Sequence, residues 1–208
     1  MEHYRRTHPS AHHELKLARL EALIDAIFGF AMTLLVLNLV IPRANLAPAE
    51  LSTTLRAQAA DILVYVLSFF ILGNFWTFLN WQSTHLRTSD TIHVWLTIAL
   101  LMFVALVPYA TFLLAEYAST SLAEVFFAAD VMLIALFLYA SWFYATEGHR
   151  LVPAELDRMT IMRGRSRSLI IAGVGAVVLL ASFFVPRWGI YIYLVIPVLL
   201  LTPLYTRR

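Results

Sequence analysis

Cysteine is absent from this chain, which removes disulfides, thiolate metal sites and cysteine nucleophiles in one step. Charge is scarce as well: Asp, Glu, Lys and Arg make up 13% of the 208 residues, against 61% hydrophobic ones, and the mean hydropathy is +0.76. A soluble domain of this length has too few charges to cover so much apolar surface, so the chain belongs in a bilayer. Glycine is sparse, at 7 residues. None forms a phosphate-cradling loop, and no "TVGYG"-like run supplies the backbone carbonyl filter of ordinary potassium channels. No grouping of Ser, His and Asp, and no carboxylate pair, lies at depths that converge on one membrane face, so no enzyme activity is expected. Internal repeats and low-complexity tracts are also missing.

What is present is a set of six long apolar runs, at 19–41, 55–80, 91–115, 122–145, 168–186 and 188–206. A helix needs about 20 apolar residues to cross the hydrocarbon core. Lipid offers no partner to backbone polar groups, so spans must be helices or closed barrel strands, and runs this long without period-two alternation read as helices. The expectation is an all-α polytopic membrane protein, a single six-helix transmembrane domain over residues 1–208. Pro42 and Pro48 break the first connection, and only the segment 147–167 makes a long one. That segment reads as a solvated loop that sets topology, or as a short amphipathic helix attracting anionic headgroups.

Basic residues distribute unevenly. Arg5, Arg6, Lys16, Arg19, Arg87, Arg150, Arg158, Arg163, Arg165, Arg167, Arg207 and Arg208 fall on one side of the implied membrane, and only Arg43, Arg56 and Arg187 on the other. The positive-inside rule then places both termini in the cytoplasm of a cell with this protein in its plasma membrane. The net charge of +2 reflects that topology, and nucleic acid is not expected as a partner. The N-terminal "MEHYRRTHPSAHHELKLAR" precedes a span that is too long, and lacks the small-residue cleavage site, for a removed signal peptide. His3, His8, His12 and His13 within it suggest a metal site or, since ligands need rigid placement, a mobile polar tail.

The first run, "RLEALIDAIFGFAMTLLVLNL", carries Arg19, Glu21 and Asp25 into an otherwise apolar span. At about 100° per residue with Asp25 at zero, Thr33 falls near 80°, Leu37 near 120°, Phe30 near 140° and Leu34 near 180°. These four share a stripe, and Asp25 lies off it. Ala22, Ala26 and Gly29 add small positions suited to close helix contact. Asp25 is read either as an interhelical hydrogen-bond or ion-pair partner or as a direct ion contact.

Arg19, Leu23, Ile24 and Asp25, followed by "MTLLVL", resemble the TMEM175 family, whose first helix carries Arg-x-x-x-Phe-Ser-Asp and then an apolar, threonine-containing face. "YVLSFFILGNFWTFLNWQSTHLR" and "WLTIALLMFVALVPYATFLLAEY" look like its second and third spans, so the resemblance covers residues 15–118. It implies a homotetrameric, potassium-permeable, modestly selective cation channel. First helices would surround a central pore, with K+ as the permeant ion and no cofactor. By position, Phe30 would form the hydrophobic constriction, Thr33 the threonine layer, and Leu34 and Leu37 the adjoining apolar layers. Arg19, Leu23, Ile24 and Asp25 would belong to the bracing network, with Trp76 or Asn80 as partners. Leu23 and Ile24 stand where the family has Phe and Ser, so the serine's hydrogen bonds are lost. Phe30 is bulkier than the usual aliphatic residue. The alternative function is a cation- or proton-coupled secondary transporter using Asp25; a transport-inactive membrane scaffold is a third.

Elsewhere, Trp81 reads as an interfacial anchor and Trp76 as a deeper hydrogen-bond donor. Asn74, Gln82 and His85 extend the polar stretch around them. Glu116 and Glu124 are expected in water, Asp130 paired or hydrated, Pro108 at a kink, and Gly173 and Gly175 at a close helix approach.

Overall fold

The computed structural model describes residues 9–39, 48–117 and 120–184, and all the regular structure there is helical. In chain order come α1 (Pro9–Leu34), extended by a 3-10 turn over Leu35–Asn38, then α2 (Pro48–Ala57), α3 (Ala59–Ser83), α4 (Thr91–Glu116), α5 (Ser121–Thr146) and α6 (Arg158–Phe184). Among the described residues five segments are long and apolar enough to cross a bilayer: Leu17–Asn38, Ala59–Ser83, Thr91–Glu116, Ser121–His149 and Arg158–Ser182. The apolar run 188–206 lies outside the described residues, as do His3 and His8.

Helix starts follow local chemistry that hydropathy does not register. Pro48 opens α2 instead of only breaking a helix, because at a first helical position its missing N–H costs nothing. The run expected at 55–80 is accordingly divided: α2 stops at Ala57 and the membrane-length helix α3 begins at Ala59. The long loop expected at 147–167 ends early. Asp157 accepts the Thr160 N–H at 3.0 Å, an N-cap that starts α6 at Arg158. The turn before it uses left-handed backbone at Gly148 (φ 59°) and His149 (φ 53°), with the His149 ring 2.9 Å from the Pro153 carbonyl. Likewise α1 starts at Pro9, so the backbone at His12 and His13, expected in a mobile tail, is helical.

Asp90 caps α4 by accepting the His93 N–H at 2.9 Å and also accepts the Tyr144 hydroxyl at 2.6 Å. Burial pushes its carboxyl upward, but those hydrogen bonds, together with the nearby His93 charge and the Ile92 N–H, outweigh it and hold the group below its ordinary pKa of 3.8. Around it one end of the bundle is tied together. The Arg87 N–H donates to the Leu151 carbonyl at 2.9 Å, Arg165 pairs with Glu147 at 3.1 Å, and the Arg165 and Arg150 guanidinium groups lie 4.5 Å over the Phe143 and Tyr144 rings.

The core runs from Phe28 on α1 and Leu35 on its 3-10 turn through Leu72 on α3, Val104 on α4 and Ile134 on α5 to Ile171 on α6. Two buried polar groups depart from expectation: Glu124 is 4% exposed, not in water, and Asp130 is 2% exposed. Neither Asp130 oxygen has a hydrogen-bond partner among the described residues, so of the expected pairing or hydration the pairing is not made there. The α5–α6 contact is set by glycines. A Cβ at Gly175 would lie 3.1 Å from the Met132 Cβ, whereas one at Gly173 meets nothing within 4 Å, so only Gly175 of the expected pair serves close approach. Gly164, buried, lies under the Trp142 indole, whose Nε1 donates to the Ile161 carbonyl at 3.0 Å. A Cβ there would overlap the indole. Gly164→Ala is therefore expected to cost about 1–3 kcal/mol through overpacking, while Gly173→Ala should be neutral or stabilise by up to about 1 kcal/mol through helix propensity. Thermal unfolding of the two detergent-solubilised variants checks this.

Candidate functional site

Helix α1 is divided lengthwise. Leu20, Ile24, Phe28, Ala31 and Leu35 recur at helical spacing and are at most 5% exposed, packing α1 against α3 and α4. That packing turns the opposite side away from the subunit. Phe30 is 71% exposed, Leu37 66% and Leu34 44%, and Thr33 is exposed beside them. Ala22, Ala26, Gly29 and Thr33, all exposed, run down the middle of this bare side as a stripe of small residues, which lets another helix backbone come close.

The Thr33 hydroxyl lies 2.9 Å from the Phe30 carbonyl and 3.0 Å from the Gly29 carbonyl. Its single proton is spent inside its own helix, so the oxygen turns lone pairs, not a donor, toward the bare face. An oxygen in that state can contact a cation and cannot donate to an anion.

Asp25 sits at the edge of the bare face and accepts the Trp76 indole N–H at 2.8 Å, which ties α1 to α3. The other residues read as a bracing network do not join it. Arg19 is exposed and makes no hydrogen bond or ion pair among the described residues, and the Asn80 side chain makes no hydrogen bond there either. Leu23 is 41% exposed on the bare side, whereas Ile24 is 2% exposed in the core. Glu21 is separated from Asp25: it faces a cavity of about 10 Å3 shared with Gln82, Ser83, His93 and Ser141, a volume near that of one water.

Sequence reasoning missed the latch at the other end of α1. The Asn38 amide donates to the Pro108 carbonyl at 3.0 Å, joining the 3-10 turn to α4 at its proline. The signals were an amide closing an apolar span and a proline inside another, but nothing local pairs them. Nearby, Asn38, Gln58, Asp61, Phe112 and Glu116 line an open recess of about 410 Å3. Trp81, read as an interfacial anchor, is half-buried in an aromatic cluster, 5.7 Å from Phe78, 4.7 Å from His85 and 5.3 Å from Trp142 by ring centroids. Among the described residues no group of three His, Asp or Glu is placed to hold a metal ion.

Residues 19–108 match the family described as endosomal/lysosomal potassium channel TMEM175, a stretch holding α3, most of α4 and the bare face of α1. Over 143 residues the chain is 32% identical to a potassium channel of Streptomyces collinus, spanning 67% of this chain and 69% of that one. The chain belongs to the TMEM175 family. A second relative, a potassium channel of Chamaesiphon minutus, is 30% identical over 150 residues, 67% of this chain and 71% of its own. The fold resembles the crystal structure of a lysosomal potassium-selective TMEM175 homologue from Chamaesiphon minutus, with a TM-score of 0.78 at 23% identity over 88% of this chain and 95% of that one. It also resembles a variant of the potassium channel MtTMEM175 bound to a nanobody fusion, with a TM-score of 0.61 at 17% identity over 87% and 86% of the two chains.

Among the described residues, the Asp25–Trp76 hydrogen bond is the contact present between members of the expected network. Its strength can be read from a double-mutant cycle of Asp25→Asn and Trp76→Phe on thermal stability. A coupling of about 1 kcal/mol is expected, the discounted value for a partly solvated charge-assisted hydrogen bond; additive losses would show that the contact contributes nothing.

Proposed function

We propose that four copies of this chain, each with six spans, surround a central axis with the bare face of α1 turned inward, forming a potassium-permeable, modestly selective cation channel. The protein sits in the plasma membrane with both termini cytoplasmic, and K+ passes along Phe30, Thr33, Leu34 and Leu37. The observation that carries this reading is the lengthwise division of α1. One side is fully used inside the subunit, while the other, with its oxygen-presenting threonine and its small residues, has no cover among the described residues. In lipid an exposed Phe30 is not costly in itself, since acyl chains are as apolar as the ring. The small-residue stripe and the lone-pair orientation of Thr33 are what favour an inward-facing assembly over a lipid-facing side.

In such an assembly Phe30 supplies an apolar constriction that closes by dewetting, and Leu34 and Leu37 extend it. Thr33 oxygens replace part of a cation's hydration shell between those layers. A few hydroxyls give weaker discrimination than stacked carbonyl rings, hence modest selectivity. Membership in the TMEM175 family supports potassium as the ion. The transporter reading needs Asp25 as an available coupling carboxylate, and its engagement by Trp76 speaks against that role.

Replacing Phe30 by serine is expected to raise K+ flux into proteoliposomes at least several-fold, and Thr33→Val to reduce the preference for K+ over Na+ without abolishing flux. Unchanged flux in Phe30→Ser contradicts the constriction. Saturable, proton- or sodium-dependent uptake lost in Asp25→Asn would establish the transporter instead.

A further inference from the structure

Helix α6 spans 27 residues, about 40 Å at 1.5 Å per residue, against a hydrocarbon thickness of about 30 Å. Its apolar run begins near Ser168, so the turns from Arg158 onward project beyond the acyl core into the headgroup layer. Those turns carry one continuous exposed face. Arg158, Met159, Met162, Arg163 and Ser166 are exposed there, and the face continues without a break into the exposed span residues Leu169 and Ile170.

The arginines of this region divide into two kinds. Arg165 is committed to Glu147 and Thr146, and Arg167 lies 4.6 Å over the Phe78 ring. Arg158 and Arg163 make no ion pair or hydrogen bond through their side chains among the described residues. Of the nearby carboxylates, Glu147 is engaged by Arg165, and Asp157 accepts hydrogen bonds from the Thr160 hydroxyl and from the Thr160 N–H of the α6 cap, which hold it below its ordinary pKa; Glu155 is exposed and makes no ion pair with either arginine among the described residues. Two cations are thus left on the same face as two large exposed methionines, Met159 at 62% and Met162 at 54% exposure.

We propose that this face is a binding site for an anionic phospholipid, its phosphate held by Arg158 and Arg163 and its upper acyl chain lying on Met159, Met162 and Ile170. Guanidinium groups match phosphate oxygens with paired N–H donors, and flexible methionines conform to irregular apolar surface. Continuity identifies the occupant. Whatever covers Leu169 and Ile170 in the bilayer reaches Arg163 one to two turns further along, which places an apolar chain and an anion in a single molecule at the position of a lipid. The proposal stands apart from the pore assignment, since α6 contributes nothing to the bare face of α1.

The test is a thermal-stability series on the full chain in detergent with phosphatidylglycerol, phosphatidylcholine or inorganic phosphate added. Phosphatidylglycerol is expected to raise the unfolding midpoint by about 3 °C more than phosphatidylcholine, as a ligand bound only by the folded state does. Inorganic phosphate should leave it unchanged. Arg158→Gln with Arg163→Gln should abolish the difference between the two lipids while keeping the phosphatidylcholine midpoint. The paired lysine variants should retain part of the difference, and Arg163→Gln alone should reduce it. Equal stabilisation by both lipids, a difference that survives in the double glutamine variant, or an equal shift with inorganic phosphate would overturn the site.

Discussion

Phe28, Ala31 and Leu35 fix the rotation of α1 against α3 and α4, and the rest of the functional reading depends on that setting. These side chains are at most 2% exposed, and a helix that buries one stripe so completely has no freedom to choose what its opposite stripe presents. Phe30, Thr33, Leu34 and Leu37 face outward because their neighbours face inward. Rotating α1 by a single residue position, so that Phe28 took the place of Gly29, would expose Phe28 and bury Phe30 and Leu34 in the places of Ala31 and Leu35.

The polar groups follow from the same constraint. A carboxylate in an apolar span needs a donor, and Asp25 finds one in the Trp76 indole, which adds a lateral tie to α3. Asn38 plays the matching part at the other end through the Pro108 carbonyl. Between the two ties α1 is held by apolar packing alone, so its outward side carries neither charge nor an unspent hydroxyl proton. Ile24, next to Asp25 in sequence, is 2% exposed and belongs to the core packing, so the polar tie between α1 and α3 rests on the Asp25–Trp76 contact.

Much of this was legible in the sequence. The all-α class, the division of α1 into an apolar stripe and an off-stripe Asp25, and Trp76 as a partner of that carboxylate were all readable from periodicity and from the family motif. Helix ends were less so, because they are set by single capping groups: Asp157 starts α6 inside what hydropathy marks as loop, and Pro48 starts α2 inside what proline marks as a break. Burial of Glu124 and the absence of a hydrogen-bond partner for Asp130 among the described residues were not legible at all. They depend on which helix lies across from them, and sequence spacing on one helix says nothing about that. The same limit hid the Asn38–Pro108 latch, whose two residues are 70 positions apart.

The absence of cysteine makes the central claim directly measurable, since every introduced thiol is the only one in the chain. Single cysteines placed at Phe30, Thr33 and Leu37, at Phe28 and Leu35, and at the outward α4 residue Met102 can be challenged with a charged, water-soluble thiol reagent while K+ current is recorded. The account predicts that current changes on modification at Phe30, Thr33 and Leu37 and is unaffected at the buried and the α4 positions. Current that is insensitive at Phe30, Thr33 and Leu37, or that responds at Phe28 and Leu35 instead, would contradict it.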